Sequence, residues 1–370
     1  MTAPIPRLSD PLRPVYLLSV FIPVAIVLKV TDAPDTAIFF TASAGVIPTA
    51  ALMGRATEEL ATRSGPGIGG LLNVTFGNAP ELIIALFALG KGLQEVVKAS
   101  IVGSIVSNTL LVLGASMFFG GWRRERQSFN RTAAHAQSSM LLLALVAVVM
   151  PAIYELITGS GLPAVDDLRV NYPHKVEALS AAAAVVLLLS YGGGLFFSLR
   201  THRQLFNPYQ PDEDQARAWP LRQSLGALAL AGAGVALMSE ILVGSIEHAA
   251  EAVGLSQFFI GAVVVAIVGN AAEHWVAVTV AIKNKMDLAV NIAVGSAAQV
   301  ALFVTPVLVL ISFLLGPHPM ALVFNGYELV AMLFAVLIAS HMTNDGESNW
   351  FAGLQLLFVY ALLVLVFAFA

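Results

Sequence analysis

Gly77-Asn78-Ala79-Pro80-Glu81 and Gly269-Asn270-Ala271-Ala272-Glu273 each place a carboxylate and a carboxamide inside a long run of apolar residues. The first run extends from about residue 68 to 89 and the second from about 258 to 282. A charged side chain at the centre of a bilayer costs roughly 2.5–3.5 kcal/mol on insertion scales. Two such groups in matching sequence contexts therefore indicate a functional requirement.

The two stretches belong to an internal repeat. They align without a gap at an offset of 192 residues, which places Asn78 on Asn270. The same offset places Lys91 on Lys283 and the Val-Gly-Ser of 102–104 on the Val-Gly-Ser of 294–296. Because two signatures recur at one fixed spacing, the chain is predicted to contain two related halves.

Composition indicates a membrane protein. Of the 370 residues, 58% are hydrophobic and only 11% are charged, and the mean hydropathy is +0.82, whereas soluble domains carry about 25% charged residues. The absence of cysteine excludes disulfides, thiol catalysis and Cys-based zinc sites. The net charge of −4 and the lack of a basic tract give no reason to expect a nucleic-acid partner.

We predict an all-α polytopic fold, because spanning the hydrocarbon core as a helix takes about 20 apolar residues. The predicted spans are 14–31, 36–54, 68–90, 96–120, 137–157, 176–199, 222–245, 257–282, 288–315, 320–341 and 350–369.

Five of these eleven spans separate the two motifs, and five is odd. The second motif is therefore predicted to enter the membrane from the opposite side, as in secondary transporters with inverted repeats. The expected organisation is an N-terminal segment with an extra helix (1–35), a first five-helix repeat (36–200), a cytosolic linker (201–221) and a second five-helix repeat (222–370).

Lysine and arginine predict the orientation. Of the 19 such residues, fourteen fall on the N-terminal side of the predicted topology and five on the other. The positive-inside rule then places the N-terminus in the cytoplasm and the C-terminus outside. The short loops suggest a bacterial inner membrane, an organelle membrane being the open alternative. Oligomeric state is not predicted.

The chemistry of the motif points to a hard cation. Glycine permits close backbone approach, and Pro80 weakens the preceding helical turn, so the backbone carbonyl of Gly77 becomes a candidate ligand beside Glu81. Pseudo-symmetry brings the carbonyl of Gly269 and the carboxylate of Glu273 to the same region. Asn78 and Asn270 stand next to each glycine and could support the site. Ca²⁺ takes 6–8 oxygen ligands and accepts carboxylates, carbonyls and water together.

Two buried carboxylates repel one another and lose hydration, which favours their protonated forms when no cation is bound. Ca²⁺ and protons would then compete for the same two groups, which is a physical basis for antiport. The alternative is that Glu81 and Glu273 only form hydrogen bonds between helices.

Each repeat continues with a second polar group. In the first half it comprises Ser104 and Asn108, and in the second Ser296 and Gln299. These side chains could face the ion or its water ligands. The neighbouring Gly103 and Gly295 are equally explained by close helix packing.

Three further polar residues are candidates for a proton pathway: Glu59, Glu240 and His274. Glu59 could line an entry path. Glu240 lies deep in the seventh span and could relay protons or make a structural hydrogen bond. His274 directly follows Glu273 and could modulate its proton affinity, although a single histidine among apolar residues is more often a packing donor.

These residues closely resemble the cation/proton exchanger branch of the Ca²⁺:cation antiporter superfamily. The matching stretches cover about residues 50 to 315: they are 56–61, 77–89, 103–108, 269–274, 283–289 and 295–299. The resemblance implies an eleven-helix Ca²⁺/H⁺ antiporter with Glu81 and Glu273 as principal ligands. It also implies that Glu59 and Glu240 belong to the cytosolic pathway.

One departure concerns the segment between the halves. Family members often carry a longer acidic segment there, which shrinks here to Asp212-Glu213-Asp214. A regulatory role for that segment is accordingly in doubt.

Three other functions compete with Ca²⁺/H⁺ exchange. A Na⁺/Ca²⁺ exchanger of the same superfamily would be expected to carry another acidic residue where this chain has Gln299. A passive cation channel lacks support because no carbonyl-lined filter sequence is present. An enzyme is not expected, since neither His-Glu-x-x-His nor Gly-x-Ser-x-Gly occurs. No cofactor is predicted beyond the transported Ca²⁺ and protons, and the expected environment is a lipid bilayer.

Overall fold

The computed structural model describes residues 12–159, 161–165, 171–202 and 219–370, apart from the side chains of 65–68, 70, 71, 73 and 74. Within these residues the chain is almost entirely helical. The helices are α1 (Arg13–Val30), α2 (Asp35–Gly77), α3 (Ala79–Gly90), α4 (Gln94–Gly121), α5 (Arg131–Thr158), α6 (His174–Thr201), α7 (Leu221–Val253), α8 (Gln257–Ile282), α9 (Met286–Ser312), α10 (Gly326–Thr343) and α11 (Trp350–Phe369).

Ten of these helices in the described chain are long and apolar enough to span a membrane. The eleventh, α3, is apolar but shorter. The all-α polytopic prediction is confirmed, but the bounds of the predicted spans 36–54 and 68–90 differ from those of the observed helices. Helical structure instead continues from Asp35 to Gly77, and a break separates this helix from α3.

The 43-residue helix α2 cannot be straight. A Cβ atom built on Gly69 would lie 2.2 Å from the carbonyl oxygen of Ala61, although eight residues of straight helix would separate them by roughly 12 Å. The chain therefore turns back between Ala61 and Gly69. Because of this turn, the C-terminal part of α2 and helix α3 together replace the predicted third span.

Loops gather at two ends of the helical bundle. At one end, which we call the β face (122–130, 283–285 and 344–349), strand β1 (Gln127–Ser128) pairs antiparallel with β2 (Glu347–Ser348). The amide of Gln127 also donates to the carbonyl of Ala281 at 3.2 Å. Loops that the predicted topology assigns to one side of the membrane thus lie together.

The other end, which we call the loop face (91–93, 171–173 and 313–325), is covered by irregular chain. Gln94 donates to the carbonyl of His318 at 2.7 Å, and the hydroxyl of Ser180 accepts from the amide of Leu322 at 2.9 Å. The tenth span was predicted to begin at residue 320, but α10 begins only at Gly326, because 319–325 forms this non-helical cover.

Helices α4 and α9, which carry the second polar group of each repeat, lie in the core. Of the most apolar window of each, 89% and 72% of the residues are buried. Both contain a π-helical segment, at Ser107–Val112 in α4 and at Val300–Val304 in α9. The 192-residue offset superimposes these segments, so the internal repeat extends to an unusual feature of the backbone, one that often marks functional sites.

A buried ion pair fastens α4 to the loop face. Lys98 pairs with Glu95 one turn earlier, and its ammonium donates to the carbonyl of Val323 at 3.0 Å. Glu328, in the first turn of α10, is also fully buried, and it forms a capping box with Asn325. The three ionisable groups interact electrostatically.

We expect Lys98→Met to destabilise the protein strongly, by about 3–5 kcal/mol, because it leaves Glu95 buried without its counter-ion. The measurement is thermal unfolding of the purified protein in detergent. The matched control is Arg126→Gln, which removes the exposed pair with Glu347 and should change stability by less than about 1 kcal/mol. Equal melting temperatures for Lys98→Met and the parent would contradict the role of this ion pair.

Candidate ion-binding site

The first motif interrupts the helix, as Pro80 predicts. Helix α2 ends at Gly77, and Asn78 follows with φ −95° and ψ 18°, outside the helical region. Helix α3 then begins at Ala79 with Pro80 in its first turn, where a missing N–H costs nothing. Glu81 occupies the same first turn, so its carboxylate stands directly beside the break.

The second motif is not interrupted. Gly269 and Asn270 lie inside a stretch of α8 that is helical from Ala266 to Ile282. Ala272 occupies the position of Pro80, and alanine keeps both the N–H and the geometry of a helix. The carbonyl of Gly269 therefore lies within a continuous helix, whereas Gly77 stands at a helix end, and the role of the Gly269 carbonyl as an ion ligand stays a prediction. The asymmetry follows from this one difference between the motifs.

Each glutamate approaches the glycine of the opposite repeat. Oε1 of Glu273 lies 3.8 Å from the position a Cβ would take on Gly77. Cγ of Glu81 lies 3.2 Å from the corresponding position on Gly269. The glycines thus leave the space that the glutamates occupy, and the two carboxylates share one region between α3 and α8.

Neither carboxylate is fully satisfied. Glu81 and Glu273 are each half-buried, and the Oε2 atom of each is buried with no hydrogen-bond partner among the described residues. A buried polar atom without a partner is unusual and calls for an explanation such as a missing ion or proton. The two carboxylates also repel each other electrostatically, which a shared cation would relieve.

A chain of polar side chains links the helices that carry the two motifs. It connects the α2–α3 break with α4, α8 and α9 through five direct hydrogen bonds. Asn78 donates to Gln299, Ser296 donates to Asn78 at 3.2 Å, Asn108 donates to Ser296 at 3.4 Å and to Asn270 at 3.3 Å, and Asn270 donates to Ser104 at 3.0 Å.

This network joins all six residues that were predicted to support the site. Its members come from both repeats and hold the two motifs in register. Oδ1 of Asn108 has no hydrogen-bond partner within the described residues and adds a free oxygen to those of the glutamates. Carboxylate and amide oxygens of this kind are suitable ligands for a hard divalent cation.

A conventional metal cluster is absent from the described part of the chain: no three His, Cys, Asp or Glu side chains there are grouped to hold a metal. The site thus offers two carboxylates, with amide, hydroxyl and water oxygens left to complete the coordination.

Two predicted pathway residues are far from one another. Glu59 pairs with Arg55 at 2.8 Å and accepts from the amide of Trp219 at 2.9 Å, just before α7 begins. Glu240 is exposed and lies 19 residues beyond the first residue of α7, which corresponds to roughly 28 Å. The two residues therefore lie at different levels of the bundle, and their assignment to one cytosolic pathway stays a prediction.

The third, His274, lies beside the site. Its Nε2 atom is buried and has no hydrogen-bond partner among the described residues, so the packing-donor alternative receives no support from that atom. The acidic linker 212–214 lies outside the described residues.

Sequence reasoning missed an amide pair next to the site. Gln137 of α5 donates a hydrogen bond to Asn291 of α9, and both lie near Gly295. Gln137 stood at the edge of a predicted span and Asn291 inside another, so only the packing of α5 on α9 relates them. Two carboxamides in otherwise apolar spans were the available signal.

Comparison with known proteins assigns this architecture to a family. The family model described as "Sodium/calcium exchanger protein" matches residues 35–200 and 223–369. The chain belongs to this family. The matched ranges are two, one for each repeat, and they leave out α1 and the linker between the halves.

Several exchangers are similar over almost their full length. A Ca(2+)/H(+) antiporter of Aphanothece halophytica is 43% identical over 366 residues, which is 95% of each chain. The Ca(2+)/H(+) antiporter ChaA of Bacillus subtilis (strain 168) is 42% identical over 355 residues, covering 95% of this chain and 97% of that protein. The solved structure of native YfkE is 39% identical, with a TM-score of 0.80, over 96% of this chain and 100% of the other.

We expect Asn108→Ala to weaken apparent Ca²⁺ affinity by about 10–100-fold, because it removes a potential oxygen ligand and two hydrogen bonds that orient the site. Concentration-dependent uptake of radioactive Ca²⁺ into proteoliposomes measures this effect. The control, Ser116→Ala, lies further along the same helix, where the serine hydroxyl has no hydrogen-bond partner in the described chain. An unchanged affinity in Asn108→Ala would contradict the role of the network.

Proposed function

We propose that this exchanger moves Ca²⁺ in one direction and protons in the other, by alternating access to a site built on Glu81 and Glu273. The observation that carries the proposal is the arrangement of these carboxylates. They come from opposite repeats, share one region, and each retains a buried oxygen without a partner in the described chain. The similar proteins named Ca(2+)/H(+) antiporter support the choice of ions.

Charge balance provides the coupling. Two carboxylates carry a formal charge of −2, which one Ca²⁺ neutralises and which two protons also neutralise. The empty site would leave two like charges away from water, an arrangement that is costly in a low dielectric. The conformational change is therefore favourable only when the site holds either Ca²⁺ or protons, and this restriction prevents uncoupled leakage.

Sodium coupling is the less favoured alternative. Exchange of several Na⁺ for one Ca²⁺ would benefit from an additional carboxylate in α9, and the chain has Gln299 in that position. The carbonyl of Gln299 accepts a hydrogen bond from Asn78, so this side chain is committed to the network. A neutral amide in that role favours exchange with protons.

The basic residues of the β face support the predicted orientation. Arg123, Arg124, Arg126 and Arg131 lie on or beside it, as do Lys283 and Lys285. Trp122 and Trp350 pack edge to face next to them, as in an interfacial aromatic belt. We therefore assign the β face to the cytoplasm and the loop face to the outside, with a bacterial inner membrane as the setting.

We expect Glu81→Gln and Glu273→Gln each to abolish Ca²⁺/H⁺ exchange without preventing folding. Either change leaves one negative charge, which cannot neutralise a divalent cation. Ca²⁺ uptake into proteoliposomes under a proton gradient is the assay, and size-exclusion chromatography in detergent reports folding. Glu347→Gln, on the exposed β2 strand, is the matched control. Near-normal transport by either variant would contradict the proposed site.

Apparent Ca²⁺ affinity should fall as the pH is lowered. Protonation removes the charge that Ca²⁺ needs, so stronger binding is expected at high pH and weaker binding at low pH. If both carboxylates take up protons, the dissociation constant for Ca²⁺ rises by up to about 100-fold for each unit by which the pH is lowered. Binding titrations of the purified protein over a pH series test this, and a dissociation constant independent of pH would refute competition between the ions.

A further inference from the structure

On the side of the site that leads to the loop face, helices α4 and α8 are in direct backbone contact. A Cβ built on Gly103 of α4 would lie 2.0 Å from the carbonyl oxygen of Ala262 and 2.7 Å from Cβ of Ala266. A Cβ on Gly261, the residue before Ala262 in α8, would lie 2.9 Å from the carbonyl of Val96 in α4. No side chain fits between the helices there, so α4 and α8 form a tight seal.

The repeat-related position is covered quite differently. Gly295 of α9 corresponds to Gly103 by the 192-residue offset. The nearest atoms to a Cβ on Gly295 are side-chain atoms: Nε2 of Gln137 at 3.3 Å and Oδ1 of Asn291 at 3.6 Å. Asn291 is exposed and Gln137 is half-buried. The side chains of Gln137 and Asn291, which can move, therefore cover Gly295, whereas a helix backbone covers Gly103.

The same offset identifies the segment that would contact Gly295 as Ala262 and Ala266 contact Gly103. Ala262 and Ala266 correspond in sequence to Gly70 and Val74, in the C-terminal part of α2. Inverted-repeat transporters alternate by exchanging the arrangements of their halves. In the opposite conformation, α9 would therefore close on α2 at Gly295 while α4 and α8 separate at Gly103.

We propose that Gly103 and Gly295 are the two alternating seals of the pathway, and that Gln137, hydrogen-bonded to Asn291, holds the Gly295 seal open in this conformation. The proposal rests on the alternating access of the proposed function. It assigns Gln137 a positioning role, because its side chain must leave the surface of Gly295 before that seal can close.

The two glycines should respond differently to an added methyl group. At Gly295 the neighbour is the end of a flexible glutamine, which can move by a few tenths of an ångström. Gly295→Ala is therefore accommodated in the present conformation but obstructs the close contact required in the opposite one. Gly103→Ala meets backbone atoms at once and is expected to disrupt the present conformation.

The test uses labelling of a single cysteine, which is unambiguous because the native chain has none. Ser104→Cys provides the reporter, since Ser104 belongs to the network between the two seals. A membrane-impermeant thiol reagent is applied to inside-out and to right-side-out vesicles. In this background, Gly295→Ala should reduce labelling from the outside by about ten-fold and retain labelling from the cytoplasmic side.

Gln137→Ala is the second variant and should act in the opposite direction. Loss of its hydrogen bond to Asn291 favours closure at Gly295, so outside labelling should rise by about five-fold. The control is Gly232→Ala in α7, where an added Cβ meets no atom within 4 Å, and it should leave both rates unchanged. The proposal is overturned if Gly295→Ala and Gln137→Ala leave the outside labelling rate at the control value.

Labelling does not depend on which ions are exchanged, and transport is measured separately on the unsubstituted protein. Shifted labelling, together with no proton-driven Ca²⁺ transport by the unsubstituted protein, would support the seals and refute the proposed function. Unshifted labelling with intact Ca²⁺/H⁺ exchange would refute the seals alone.

Discussion

Electrostatic repulsion between Glu81 and Glu273 governs how the ion site is built. Two carboxylates brought together from opposite repeats, each with a buried unpaired oxygen in the described chain, are unstable unless something neutralises them. The glycine of each motif leaves space for the glutamate of the other. The amide and hydroxyl network then fixes the helices around a region that can alternate between two neutral forms.

The symmetry of the site is incomplete, and single residues account for the differences. Pro80 ends one helix at the motif, whereas Ala272 lets α8 continue through the equivalent position. Gly103 is closed by a backbone, whereas Gly295 is covered by the side chain of Gln137. A transporter built from an inverted repeat must be asymmetric at any moment if its site is to open to one side of the membrane. These differences therefore reflect the conformation of the protein as well as its sequence.

Much of the site could be predicted because burying its charged and amide side chains in a membrane costs free energy. Charged and amide groups in apolar runs attract attention, and the fixed offset of 192 residues paired Glu81 with Glu273 and Ser104 with Ser296. The helix break at Asn78 followed from the properties of proline. In the second motif Ala272 takes the place of Pro80 and imposes no such break, so α8 stays helical there.

Other features depend on packing that a linear pattern does not contain. The turn within α2 lies in a segment that is helical from Asp35 to Gly77. The non-helical residues 319–325 are as apolar as a membrane span. Lys98 lies near the start of the predicted span 96–120, and only its contacts with Glu95 and Val323 identify it as an interior residue. The hydrogen bond between Gln137 and Asn291 becomes apparent only from the packing of α5 on α9.

The most direct test of the central claim is Ca²⁺ flux in proteoliposomes that contain only the purified protein and no sodium. If Ca²⁺ and protons share the two glutamates, an imposed proton gradient will drive Ca²⁺ accumulation against its own gradient, and collapsing the proton gradient will stop it. Accumulation that requires sodium, or a Ca²⁺ flux indifferent to the proton gradient, would contradict the account.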